Sequence, residues 1–114
     1  MKILEATPKN IEEASRIIKK GGLVIFPTET VYGLGCDPFN VDSVQKTIDT
    51  KRNRTKPFPI LASNMKAIQK IAYITLYGKK LATKFWPGPI TIIFPKINTL
   101  PDIGTFHQKS VGLR

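Results

Sequence analysis

Leu23-Val24-Ile25-Phe26-Pro27-Thr28-Glu29-Thr30-Val31-Tyr32-Gly33-Leu34-Gly35 is the stretch on which the fold turns. Its first four residues are all apolar, the pattern of a strand buried on both faces. Pro27 then opens a loop of small and polar residues. Thr28, Thr30 and Tyr32 supply hydroxyl donors and acceptors, and Glu29 adds a charge that suits an amine. Gly33 and Gly35 let backbone approach a ligand closely. A polar turn with structural glycines fits the same residues equally well. The loop is not a P-loop, because no Gly-Lys-Ser/Thr follows, and two glycines with no helix opening on them do not make a dinucleotide fingerprint.

Working outward, Gly21-Gly22 stops a helix that starts at Thr7-Pro8. Ile11, Ala14, Ile17 and Ile18 recur in it at helical spacing. Residues 2–6 alternate loosely and read as a short first strand. Downstream, 41–50 reads as a second helix with Asp42 as candidate cap and Val44 and Ile48 facing inward. The basic run Lys51-Arg52-Asn53-Arg54-Thr55-Lys56-Pro57 leads into a strand at 58–62. Ser63 or Asn64 caps a third helix with Met65, Ile68 and Ile71 or Ala72 on its inner face. A fourth helix, 76–85, ends at Trp86-Pro87-Gly88-Pro89. Residues 90–94 read as a strand with apolar residues on both faces, 99–104 as loop, and 110–113 as another strand. This alternation predicts α/β (or α+β) layering, in which ligands gather at strand ends.

At 114 residues the chain has the length of one domain. Apolar residues make up 41% of it, which excludes wholesale disorder, and its apolar runs are too short to cross a bilayer. One cysteine (Cys36) and one histidine (His107) exclude a disulfide framework and any zinc cage built on cysteine or histidine. No secretory pattern follows Met1, so a reducing cytoplasm is expected. Eighteen Lys and Arg against eight Asp and Glu give a net charge of +10. Such a charge favours polyanions, that is nucleic acid, phosphates or nucleotides, although a basic surface can also serve only for solvation.

Three further segments could carry chemistry. Four of the six residues from Lys51 to Lys56 are cationic. They could hold a triphosphate and offset charge developing at phosphorus, or simply solvate a helix C-terminus. The rigid turn at Trp86 puts its indole in the core, with base stacking as the less favoured use. Arg114 ends Ser110-Val111-Gly112-Leu113-Arg114, where an Arg at a strand end can clamp an anion. A Cys36–His107 nucleophilic pair is disfavoured, since no histidine lies near the cysteine in sequence.

Taken together, these segments resemble the YrdC-like threonylcarbamoyl-AMP synthase family. The matching residues are Gly21-Gly22, the stretch Val24 through Gly35, the Lys/Arg motif at 51–54, Lys56-Pro57-Phe58-Pro59-Ile60-Leu61, Trp86-Pro87-Gly88-Pro89-Ile90-Thr91 and Ser110 through Arg114. The resemblance implies a YrdC-like twisted mixed sheet flanked by helices, with a concave basic surface. It implies synthesis of threonylcarbamoyl-AMP and pyrophosphate from L-threonine, bicarbonate and ATP, for threonylcarbamoyladenosine in tRNA. Mg2+ would accompany ATP, with no tightly bound cofactor and no resident metal. Partners would be tRNA or double-stranded RNA and downstream threonylcarbamoyl-transferase proteins, with no membrane.

By the same resemblance, Thr28, Thr30, Tyr32 and Arg114 contact L-threonine, with Arg114 on the carboxylate. Lys51, Arg52, Lys56 and Ser110 contact ATP, and Lys51, Arg52 and Arg54 are the catalytic cations. The Lys-x-Arg pair of the family is one residue out of step here, so that Asn53, Arg52 or Arg54 can be aligned with the Arg, with Arg52 preferred. Leu61 stands where some relatives carry His. A Ser-Ala-Asn segment that completes the site in the family does not occur in these residues. The chain therefore reads as an incomplete domain, residues 1–114, truncated at its C-terminus and inactive and poorly stable by itself. An RNA-binding YrdC-like module without synthase activity is the alternative.

Overall fold

The structure, a computed structural model, describes residues 1–52 and 54–114. They form two compact units, Met1–Arg52 and Asn53–Arg114. Asn53, one candidate for the pair position, lies outside the described residues.

The first unit opens with α1 (Pro8–Lys19). Thr7 caps it by accepting from the Asn10 N–H at 3.2 Å, and Pro8 sits where no intrahelical donor is needed. At its far end Gly21 takes φ 89°, a conformation only glycine adopts without strain. β1 (Val24–Phe26) and β2 (Gly33–Gly35) form an antiparallel hairpin in the register Val24↔Gly35, Ile25↔Leu34, Phe26↔Gly33. α2 (Val41–Thr50) follows. Its cap is Asn40, whose side chain accepts from the Ser43 N–H, and not Asp42, which lies in the first turn where a negative charge still favours the helix dipole. Ser43 Oγ donates to the Gly21 carbonyl at 2.8 Å and ties the start of α2 to the end of α1.

Two expectations fail in this unit. Residues 2–6 form no strand, and Ile3 and Leu4 are exposed, because no other segment pairs with them among the described residues. β1 is not buried on both faces. Ile25, which points away from the face shared by Val24 and Phe26, is 60% exposed. A two-stranded hairpin beside one helix has cover for one face only.

The second unit holds α3 (Met65–Gln69), α4 (Leu76–Phe85), β3 (Ile92–Pro95) and β4 (Ser110–Leu113). Asn64 caps α3 and Thr75 caps α4, each through a side-chain oxygen. β3 and β4 are antiparallel. The segment 58–62 runs parallel to β4, with Ile60 N–H donating to Gly112, Arg114 N–H to Ile60, and Ala62 N–H to Arg114. Parallel and antiparallel neighbours thus share one mixed sheet. Ile68, Ile71, Ala72, Ala82, Ile92, Phe94, Leu100, Val111 and Leu113 form the core, and Trp86 packs on it. The Trp86 indole N–H donates to the Ile90 carbonyl at 2.7 Å, in keeping with a core role. The strand expected at 90–94 begins two residues later and alternates. Ile92 and Phe94 are buried, whereas Ile93 is exposed, because helices cover only the Phe94 face.

Candidate functional site

In the first unit the loop between β1 and β2 is shaped by its own hydroxyls. Thr28 Oγ1 donates to the Val31 carbonyl and accepts from the Thr30 N–H at 3.2 Å, and it lies 3.2 Å from Thr30 Oγ1. This side chain-to-backbone turn leaves Tyr32 exposed at the loop's end. Of the two readings of the glycines that follow, the structural one describes what they do here. A Cβ on Gly35 would fall 2.6 Å from Phe26 Cε1, and one on Gly33 3.2 Å from Phe26 Cζ. The two glycines make room for the Phe26 ring to lie across the hairpin, which fixes the ends of the Thr28–Tyr32 loop.

Lys51 closes α2, its N–H donating to the Thr47 carbonyl at 3.0 Å, and Arg52 follows, exposed. Both stand at a helix C-terminus, where the dipole favours cations and where a bound anion would compete with it.

In the second unit Arg54 is engaged by its own turn. Its Nε donates to the Lys56 carbonyl at 2.7 Å and its Nη2 to the Pro57 carbonyl at 2.9 Å. The guanidinium also lies 4.9 Å from the centre of the Phe58 ring. Arg54 therefore braces the turn that presents the exposed Lys56.

Ser110, Gly112 and Arg114 alternate with the buried Val111 and Leu113, so all three face the same side of the sheet. Ile60 pairs with Leu113 on the core side. The bonds to Ile60 and Ala62 flank Arg114, which sets Leu61 beside it on the outer face. A Cβ on Gly112 would meet Thr91 Cγ2 at 3.0 Å, which sets the Thr91 methyl close against Gly112 on this face. The outer face is thus built from Leu61, Thr91, Ser110 and Arg114. Thr91 had no assigned role in the sequence reading. The alternation of Ser110, Gly112 and Arg114 was the signal that could have drawn it in.

Each group of candidate residues is placed within its own unit: Thr28, Thr30, Tyr32, Lys51 and Arg52 in the first, Arg54, Lys56, Ser110 and Arg114 in the second. The charge is divided unevenly between the units. Residues 1–52 carry eight Lys and Arg against seven Asp and Glu, and residues 53–114 carry ten against one, Asp102. That acid pairs with Lys96, whose side chain is only 4% exposed. The hydrogen bond from Lys96, with its charge, holds the Asp102 carboxyl below its usual value. No cluster of three or more His, Cys, Asp or Glu that could hold a metal ion occurs among the described residues. No helix of the described residues is long and apolar enough to cross a membrane.

The Sua5/YciO/YrdC family, described as "Telomere recombination", matches residues 16–114. Threonylcarbamoyl-AMP synthase of Coxiella burnetii is 37% identical over 109 residues, covering 93% of this chain and 58% of the relative. That of Pyrococcus abyssi is 34% identical over 121 residues, covering all of this chain and 36% of the relative. The crystal structure of P. abyssi Sua5 complexed with L-threonine superposes with a TM-score of 0.90 at 32% identity, over 97% of this chain and 33% of that one. The chain therefore spans little more than half, or less, of the curated relatives it matches. With the hairpin loop, the basic turn and the Ser110–Arg114 face all lying inside the matched residues, this chain belongs to the Sua5/YciO/YrdC family.

Proposed function

We propose that the chain functions in L-threonylcarbamoyladenylate synthesis, joining L-threonine, bicarbonate and ATP and releasing pyrophosphate. The observation that carries this reading is the close superposition on a relative complexed with L-threonine, together with curated relatives named threonylcarbamoyl-AMP synthase. Bicarbonate first carboxylates the threonine amine with loss of water. A carbamate oxygen then attacks the α-phosphorus of ATP, and pyrophosphate leaves with the bonding electrons.

The residues divide the work by chemistry. Thr28 is occupied in holding its loop, so Thr30 and Tyr32 are the hydroxyls that meet the amino acid, with Thr28 positioning them. The Arg114 guanidinium suits the threonine carboxylate, which accepts two parallel N–H bonds. Lys51, Arg52, Lys56 and Ser110 hold the nucleotide, and the cations oppose the charge that grows on the phosphates in the transition state. Mg2+ arrives on the ATP phosphates, since these residues are partners for the triphosphate and not ligands for a metal. Gathering three substrates in one orientation is the larger part of the catalysis. Cytoplasmic tRNA and the transferase proteins that consume the adenylate are the proposed downstream partners.

The test is pyrophosphate release by the intact gene product given ATP, labelled bicarbonate and L-threonine. Release that requires all three substrates is expected, and release indifferent to threonine would sink the reading. Within the basic segment, Arg52→Ala should lower kcat/KM by about 10²-fold or more with an unchanged melting temperature, as for loss of a transition-state donor. Arg54→Ala should lower the melting temperature first, because its guanidinium braces the turn.

A further inference from the structure

The loop before β4 holds a strained backbone. Phe106 takes φ 53° and His107 φ 60°. The left-handed region disfavours any residue with a Cβ. Two in succession, one bearing a large ring, persist only where surrounding bonds over-determine them. Those bonds are present. The Asp102 carbonyl accepts from Thr105 Oγ1 at 3.1 Å and from the His107 N–H at 2.9 Å, and Thr105 is buried. Lys96 clasps both ends of the loop, its ammonium on the Asp102 carboxylate and its N–H donating to the Lys109 carbonyl at 2.9 Å. So held, the half-buried Phe106 ring stands edge-to-face on Phe58, with centroids 6.0 Å apart and planes at 90°. Phe58 donates its N–H to the Gly104 carbonyl at 3.0 Å and carries the Arg54 guanidinium 4.9 Å from its ring centre. Phe106, Phe58 and Arg54 thus form one stack that runs from this loop to the turn presenting Lys56.

We propose that Phe106 is a positioning residue for nucleotide binding. Its ring fixes Phe58, Phe58 fixes the Arg54 guanidinium, and Arg54 holds the Lys56 and Pro57 carbonyls so that Lys56 meets the ATP phosphates from a set direction. The inference rests on the proposed function, which puts Lys56 on the nucleotide. A Lys ammonium is a point charge on a flexible stem, so the direction of its contact depends on how firmly its backbone is held. Here Arg54 does the holding, and a guanidinium lying on a ring face is fixed only as well as the ring is. Fastening the 58–62 strand needs none of this, since the Phe58 and Ile60 N–H groups already bond to Gly104 and Gly112. An aliphatic side chain at 106 would also fill the space. What a ring adds is an edge-to-face contact that keeps the Phe58 plane at one tilt, and with it the guanidinium.

The experiment uses the intact gene product, with affinities for ATP and for L-threonine each read by calorimetry and pyrophosphate release measured beside them. Phe106→Leu keeps apolar bulk and removes the ring. It should weaken ATP about two- to tenfold, the worth of an aromatic pair, and leave L-threonine affinity unchanged. Phe106→Tyr restores the ring and should bind ATP as the wild type does. In an Arg54→Ala background Phe106→Leu should cost little further ATP affinity, because its route to Lys56 is already cut. Ile71→Val, a core change with no part in the stack, should lower the melting temperature and leave ATP affinity alone. Circular dichroism should show the native helix content in each variant. Four results overturn the assignment: ATP affinity unmoved by Phe106→Leu, an equal loss from Ile71→Val, a loss that Phe106→Tyr does not restore, or full additivity with Arg54→Ala. A wild type that binds no ATP overturns it as well. If the wild type binds ATP but releases no threonine-dependent pyrophosphate, the synthase reading falls and the same ATP affinities still decide this one.

Discussion

Gly78 shows how one hydrogen atom can matter more than helix propensity. A Cβ there would sit 2.1 Å from Phe94 Cε1 and 2.9 Å from Thr75 Oγ1. Glycine inside a helix costs about 1 kcal/mol relative to alanine, so Gly78→Ala looks stabilising by propensity alone. Phe94 is wholly buried, however, and has nowhere to retreat, so overpacking of about 1–3 kcal/mol decides the sign. Gly78→Ala should lower the denaturant midpoint of the second unit. Gly78→Ala/Phe94→Leu should be less unstable than the sum of the two single changes. Strict additivity would show that Phe94 is not the obstacle.

At the scale of elements, the β1–β2 hairpin is held by a ring lying over two glycines. Phe26→Ala removes about 1–2 kcal/mol of apolar contact from a half-buried position. Amide exchange at Ile25 and Leu34 should quicken about tenfold, while the α4 amides keep their protection. Unchanged exchange in the hairpin would mean that the register bonds suffice without the ring. This element also shows where sequence reasoning reached its limit. The four helices and the β4 strand were legible because caps, glycine stops and a 3.6-residue period are local properties. Whether a strand has a partner, or a sheet a second covering layer, is not local. Residues 2–6 have strand alternation without a partner, and Ile25 and Ile93 lie on uncovered faces. The same distinction governs the site. That Lys51 through Lys56 is basic was plain, but that Arg54 turns its guanidinium onto the Lys56 and Pro57 carbonyls depends on the path of the chain after it.

For the molecule as a whole, the uneven division of charge is the dominant physical fact. Residues 53–114, with ten cations and one acid, repel themselves at low ionic strength. Salt shortens the screening length from about 10 Å at 0.1 M to about 3 Å at 1 M. The melting temperature of the second unit should therefore rise with sodium chloride, and a fall would show that the Lys96–Asp102 pair outweighs the repulsion. Acid acts through that pair. Because the Asp102 pKa is lowered on folding, its contribution is complete above the ordinary value of 3.8 and is lost as pH falls through the lower folded value. Asp102→Asn should be less stable than wild type at neutral pH, with the gap closing in strong acid. A constant gap would mean that the side chain acts by shape and not by charge. The two units also differ in an optical respect. Trp86 is the chain's one tryptophan, packed at 6.3 Å from Phe94 with its N–H bonded to Ile90. Excited at the red edge of protein absorption, the chain emits from the second unit alone. Its fluorescence is a built-in gauge of that core, and the melting of the hairpin and α2 must be followed by other means.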